Sequence, residues 1–322
     1  MKKSKRTSII TGITGQDGAY LSDLLLNKDY HVIGIVRSSN RSSLNNLKYL
    51  GIEKKIELIE CDLNDITSIM SLIRKHKPDE IYNLAAQSSV GLSFEQPIGT
   101  ILFSAISVLN LLESIRITDK RIRFYQASSS EMFGKVVHLP VKENTPMHPL
   151  SPYAISKATA FWSVVNYRES YGLFACNGIL FNHESYLRTD NYFVKKVIKN
   201  SIEIANGKRE TLIVGQIDLK RDFGYAPEYV KAMWLMLQHS VANDYSVCSG
   251  NSVSLREIIY YVFKKLKIAN NKLKIDEALF RPVDIENIYG DNSKAKKILG
   301  WKYDLNFFQV LDMLIEEEMK AR

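Results

Sequence analysis

A glycine-rich turn between a short apolar run and a longer amphipathic one constrains this chain more than any other feature. Thr7–Ile10 reads as a strand, Gly12-Ile-Thr-Gly15-Gln-Asp-Gly18 as the turn, and about Gly18 to Asp29 as a helix. The alternation continues. His31–Val36, Ile56–Glu60, Glu80–Leu84 and Arg123–Gln126 are apolar runs with helical patterns between them, and Asn177–Phe181 and Leu212–Val214 continue the strands. Strands that alternate with helices are joined by crossovers, so they lie parallel in one sheet with helices on both faces. The expected fold is α/β: a doubly wound parallel sheet in residues 1–181 and a smaller C-terminal α/β lobe in 182–322. Pro227–Gln238 reads as a helix, and a helix near 225–240 is expected to return to the first unit. Ser254–Lys267 reads as a helix with Ser254 and Glu257 forming a capping box, and Leu305–Met319 as a closing amphipathic helix.

Open α/β sheets bind ligands beyond the carboxyl ends of their strands. The glycine turn would bring backbone close to a pyrophosphate, whose charge the following helix N-terminus stabilises. Gly12, Thr14, Gly15, Gln16, Asp17 and Gly18 are therefore candidate cofactor contacts. The spacing is G-x-x-G-x-x-G, which is weak evidence alone; the flanking strand and helix give it weight. The second strand ends in Val36-Arg37-Ser38-Ser39. A carboxylate there would suit the ribose 2′-hydroxyl of NAD, whereas Arg suits the 2′-phosphate of NADP. NADP is the expected cofactor, with Arg37, Ser38 and Ser39 near that phosphate. Asp62 and Leu63 follow the third run, where they would meet the adenine. Leu84, Ala85, Ala86 and Gln87 follow the fourth and would lie close along the cofactor.

Composition excludes several classes. The 322 residues carry a net charge of +8, with 45% hydrophobic and 24% charged residues, ordinary for a globular protein. No apolar run reaches the roughly 18 residues of a membrane span, and the basic start leads into a strand. No nucleic-acid motif accompanies the lysines, so the excess charge is read as solvated faces plus a site for a multiply anionic small molecule. The expected partners are thus neither nucleic acid nor membrane. Cys61, Cys176 and Cys248 form no metal-ligand cluster. They read as reduced thiols of a cytoplasmic protein that binds no metal.

The chemistry rests on Ser129-Ser130-Glu131 and, 22 residues beyond Glu131, Tyr153-Ala-Ile-Ser-Lys157. Residues four apart share one helix face, so Tyr153 and Lys157 reach one site. Ser151-Pro152 reads as N-cap and first helical position, which puts Tyr153 at a rigid helix entrance. An ammonium beside a phenol favours the phenolate, so Tyr153 is expected to act as a base near working pH. Tyr-x-x-x-Lys alone is a common accident. Simple alcohol oxidation needs one base, so Glu131 implies a second proton to move. Ser129 is expected to orient Tyr153.

These residues resemble a known family. Gly12–Leu21, Tyr82–Val90, Phe124–Lys135, Ser151–Lys157, Gly178–Ser185, Lys220–Gly224 and Ala232–Gln238 look like GDP-mannose 4,6-dehydratases, from the extended short-chain dehydrogenase/reductases. GQDGxYL and LFNHES are its most specific motifs. The resemblance implies a Rossmann-type domain, tightly held NADP, a GDP-sugar substrate and a homo-oligomer, dimer or tetramer. It also implies roles. Tyr153 takes the sugar O4 proton while C4 is oxidised; Glu131 removes the C5 proton and helps water leave from C6; hydride then returns to C6. Lys157 and His183 join the cofactor contacts. Ser88, Ser89, Asn182, Glu184, Arg188, Lys196, Arg221, Arg281 and Asp284 become substrate contacts, the last three at the diphosphate and ribose.

Departures from the family pattern concern the sugar. The usual Ser-His-Val-Lys is here Ser88-Ser89-Val90-Gly91, and Pro-Arg-Arg-Gly is Tyr186-Leu187-Arg188-Thr189 with one residue inserted after it. Losing a His and a Lys makes room, so the substrate is read as GDP-D-mannose or GDP-D-glycero-D-manno-heptose. An epimerase or reductase of the same extended family is the alternative; a non-catalytic NADP sensor is a further one.

Overall fold

The computed structural model describes residues 5–37 and 44–321. The first half delivers six strands and the helices between them. In chain order these are β1 (Thr7–Thr11), α1 (Gln16–Asn27), β2 (His31–Val36), α2 (Asn45–Tyr49), β3 (Glu57–Glu60), α3 (Ile66–His76) and β4 (Glu80–Asn83). Then follow α4 (Val90–Glu95), α5 (Pro97–Thr118), β5 (Arg123–Ser129), α6 (Pro152–Tyr171) and β6 (Ala175–Leu180). Helix α1 begins at Gln16, earlier than the expected Gly18. Gly15 already takes the extended N-cap conformation, which leaves Gln16 and Asp17 in the first turn.

The second half holds β7 (Asn182–Glu184), α7 (Phe193–Ala205), β8 (Leu212–Val214), β9 (Lys220–Tyr225), α8 (Ala226–Gln238) and β10 (Tyr245–Val247). It ends with β11 (Ser252–Ser254), α9 (Leu255–Lys265), β12 (Leu273–Ile275), β13 (Asn287–Ile288), α10 (Ser293–Leu299) and α11 (Phe307–Lys320).

The main sheet has seven strands in the order β10-β6-β5-β4-β1-β2-β3, all parallel. Side chains alternate between its faces. Ile9, Ile33, Ile81 and Phe124 pack under α3, α5 and α6, while Ile10, Val32, Tyr82 and Tyr125 pack under α1, α8 and α10. Leu212–Val214 does not continue this sheet, as its apolar run led us to expect. It pairs with β12 in a separate two-stranded ribbon. The seventh strand is instead β10, beside β6. Helix α8 packs on α1 through Tyr229, Val230 and Met233 in the same core as Leu21 and Leu25.

A smaller sheet is built on β9, which pairs with β7, β11 and β13. Its hydrophobic core comes from α7, α9 and α11 with Leu212, Val214 and Phe223. Ser254 and Glu257 form the expected capping box on α9, and Asn306 and Gln309 form a second on α11. Helix α5 is long and apolar enough to cross a membrane, with mean hydropathy 1.8. Half of that window is buried, and Val108, Leu111, Leu112 and Ile115 pack on the sheet, so core packing accounts for its apolarity.

Candidate active site

Chain order reverses between β1 and β4, which opens a crevice beyond their carboxyl ends. The turn after β1 is fitted to the end of β4. Thr11 Oγ1 donates to Asn83 Oδ1 and accepts from the Leu84 and Ala85 N–H groups at 3.2 Å. Gly12 has φ +68°, and a Cβ there would meet Ala85 N and Leu84 C at 2.9 Å. A Cβ on Gly18 would sit 2.4 Å from the Gly12 carbonyl, so α1 could not pack onto its own turn. No side chain caps α1. Its first N–H groups and the bare turn fit a pyrophosphate, because backbone donors and helix dipole both favour an anion there.

The reacting groups come from β5 and α6. Ser151 Oγ accepts from Ala154 N at 3.1 Å and Pro152 takes the first helical position, so the entrance of α6 is fixed locally. Tyr153 and Lys157 are buried there. Ser129, at the end of β5, accepts from Glu131 N at 3.3 Å and lines the same cavity as the Tyr153 phenol. Ser129, Glu131, Tyr153 and Lys157 line one cavity of about 350 Å³.

Their charge states differ from the sequence expectation. Burial raises the Tyr153 pKa, and the nearby Ser129 hydroxyl lowers it by less. Lys157 does not offset that burial. Its Nζ donates to the Ala127 carbonyl at 2.7 Å and stands 5.8 Å from the Tyr153 ring centre, and its own pKa is pushed down to about 8 by burial. Burial also raises the Glu131 carboxyl, against the pull of Arg221 and Arg281.

The two motifs most specific to the sequence touch each other. Asp17 accepts from His183 Nε2 at 2.9 Å, and His183 Nδ1 lies 2.7 Å from the Phe181 carbonyl. Both ring nitrogens face acceptor oxygens, an arrangement that the doubly protonated imidazolium satisfies best. Burial opposes that charge, but the Asp17 carboxylate outweighs it and raises the His183 pKa; Asp17 is lowered in return, despite its own burial. Gln16 adds a second tie: it donates to the His183 carbonyl at 3.2 Å and accepts from Ser185 Oγ at 2.7 Å. Asn46 donates to the carbonyls of Thr14 and Leu187.

At the other end, Asp284 is held between Arg221 and Arg281, 3.5 Å from the latter. Arg221 is buried and also donates to the carbonyls of Lys220 and Ile285. Glu184 is buried 3.7 Å from Arg188. Ser88, Ser89 and Asn182 also line the cavity, as do Asp17, Leu84, Ala86 and His183.

Other expected residues turn their polar atoms elsewhere or lie off that wall. Ser89 Oγ caps α4 by accepting from Leu92 N. Gln87 is turned back on the Ser89 backbone, Leu63 is in the core, and Asp62 accepts from Asn64. Lys196 sits on α7 outside the cavity lining. Arg37 is exposed at the end of β2, and Ser38 and Ser39 lie outside the described residues. Sequence reading missed Tyr192, Gln216 and Phe280, which line the cavity from loops without a motif. Among the described residues, no three His, Cys, Asp or Glu side chains stand together as a metal site.

A glycine turn at the switch point of a parallel sheet, facing a buried Tyr/Lys pair, defines an extended short-chain dehydrogenase/reductase. The fold matches UDP-glucose 4-epimerase of Thermotoga maritima (TM-score 0.86, 21% identity, 98% of this chain and 99% of that one). It also matches dTDP-glucose 4,6-dehydratase of Bacillus anthracis (TM-score 0.85, 19%, 98% and 97%). Within that class, residues 9–314 match the family model for GDP-mannose 4,6 dehydratase, and the chain belongs to this family. It is 42% identical to GDP-mannose 4,6 dehydratase 2 of Arabidopsis thaliana, covering 98% of this chain and 87% of that one. Identity to GDP-mannose 4,6-dehydratase of Vibrio cholerae is 38%, covering 98% and 95%.

Proposed function

We propose that the protein removes water from a GDP-manno sugar to give the GDP-4-keto-6-deoxy sugar, with no net oxidation. The observation that carries this reading is Glu131 in one cavity with Tyr153 and Lys157. An epimerase or reductase needs no such carboxyl. The turn at Gly12–Gly18, Asp17, Leu84–Ala86 and Lys157 would hold NADP, with Arg37 toward its 2′-phosphate. Bound NADP supplies reversible hydride transfer at sugar carbon. Tyr153 takes the proton of the C4 hydroxyl as its phenolate, a form that burial disfavours and that the Lys157 ammonium, turned from the Ala127 carbonyl toward the phenol, would favour. Once C4 is a ketone, its neighbouring C5 proton is acidic. Glu131 takes that proton and passes it to the departing C6 hydroxyl, which leaves as water and gives a C5=C6 double bond. The 4-keto-6-deoxy product results when the hydride removed from C4 is returned at C6 and the proton held by Tyr153 is delivered to C5. A carboxyl pKa raised by burial suits a group that both accepts and returns a proton.

The altered residues Ser89 and Gly91 support room for a sugar larger than mannose, such as a manno-heptose. Mass spectrometry of products from a panel of GDP-sugars tests this. The expected product is lighter than its substrate by one water, with no change in total NADP(H). Products of unchanged mass, or net consumption of reduced cofactor, would replace the dehydratase reading with the epimerase or reductase.

A homo-oligomer is also proposed. Ile98 (73% exposed), Leu102 and Ile106 form a stripe on α5, beside Ile155 and Trp162 (59% exposed) on α6. A contiguous apolar face of this kind marks an interaction surface. Wild type should sediment as a dimer or tetramer and Trp162→Glu as a smaller species; a monomeric wild type would refute the assembly. Three buried free cysteines support a reducing, cytoplasmic setting.

A further inference from the structure

The cavity carries a second pair of hydroxyls that the proposed chemistry does not use. The Tyr192 phenol and Ser88 Oγ lie 2.6 Å apart and line the same cavity as Tyr153 and Glu131. They come from distant parts of the chain: Ser88 from the loop after β4, Tyr192 from the residue before α7. The Tyr192 ring is fixed from behind, with the Arg188 guanidinium 3.6 Å from its centre. Beyond it, Glu184 Oε2 is buried without a hydrogen-bond partner, 3.7 Å from Arg188 Nε. This wall therefore presents two hydroxyls bonded to each other and open to the cavity. Ser88 stands just before the departures at Ser89 and Gly91, and Tyr192 three residues beyond the departing segment Tyr186–Thr189.

We propose that Tyr192 and Ser88 form a sugar-selecting clamp that binds the polyol end of the substrate. The inference rests on the GDP-sugar reading above. A hydroxyl both donates and accepts, so a sugar diol can replace the Tyr192–Ser88 bond by one bond to each. Exchanging one such bond for another changes affinity little. Selectivity arises because a sugar without the matching diol leaves Tyr192 and Ser88 bonded to each other and forfeits both of its own bonds to this wall. The clamp accordingly favours sugars with a longer hydroxylated side chain at C5.

The test uses NADP-loaded wild type, Tyr192→Phe and Ser88→Ala, with GDP-mannose and a GDP-manno-heptose. Tyr192→Phe keeps the ring and its Arg188 contact. Each variant is expected to raise KM for the preferred sugar by about tenfold while kcat changes less than about threefold. Calorimetric Kd values should rise in parallel, the preference between the two sugars should shift by about tenfold, and thermal midpoints should match wild type. The double variant should cost no more than either single one, because the two hydroxyls act as a unit. KM, Kd and preference all within about twofold of wild type would overturn the clamp, as would a loss confined to kcat. If wild type turns over neither sugar yet the Kd shift appears, the reaction assignment fails and the clamp stands.

Discussion

Glu131→Gln should lower formation of the 4-keto-6-deoxy product by about 10²- to 10⁴-fold, the usual worth of a positioned acid–base group. The amide keeps the shape of the side chain but cannot take the C5 proton. Oxidation at C4, which depends on Tyr153, should persist, and exchange of the C5 proton with solvent deuterium should cease. A variant that forms product within threefold of wild type would remove Glu131 from the mechanism. Stability provides an independent readout. Burial raises the Glu131 pKa above its ordinary 4.5, so the ionised carboxylate is destabilising in the folded state. That cost appears as pH climbs through 4.5 and is complete above the raised folded pKa. At neutral pH the Gln variant should therefore unfold at the same temperature as wild type or higher. Its activity loss would then not reflect damage to the fold.

Asp17→Ala should cost about 3–5 kcal/mol, because it leaves the buried His183 imidazolium without its counter-ion. The pH dependence distinguishes this from a simple packing defect. His183 is raised above its ordinary 6.5, so its contribution is complete below that value and is lost as pH rises through the folded pKa. Asp17 is lowered below 3.8, so its contribution is complete above that value and is lost as pH falls through the folded pKa. The pair stabilises most between pH 3.8 and 6.5. Urea unfolding at pH 5 should separate wild type from the variant more than unfolding at pH 9. An equal gap at both pH values, or one below about 1 kcal/mol, would show that the ion pair does not bind these motifs together.

Features written in a few neighbouring residues were legible in the sequence. The Ser151 cap, Pro152 and the capping box at Ser254 are short-range devices. So is the turn that Gly12 and Gly18 make possible. What depends on distant partners was not legible. Leu212–Val214 has the composition of a sheet strand, but nothing local says that β12 will claim it. β10 has only three residues and no periodicity to betray it. Tyr-x-x-x-Lys spacing puts two side chains on one face, yet the Ala127 carbonyl decides where the ammonium points. The contact of Asp17 with His183 spans 166 residues, so each motif was visible and their union was not.

The return of the C-terminal half to the main sheet bears on how the chain may be divided. A fragment ending near residue 182 would look self-contained by its motifs. It would lack β10, so β6 would become an open edge with unpaired N–H and C=O groups. It would also lack α8, baring the Leu21 and Leu25 face that Val230, Met233 and Met236 cover. Each such side chain is worth roughly 1.5–3 kcal/mol when buried. Such a fragment would aggregate in isolation. A soluble cofactor-binding piece would have to be spliced, carrying residues 226–247 back to the edge that they close.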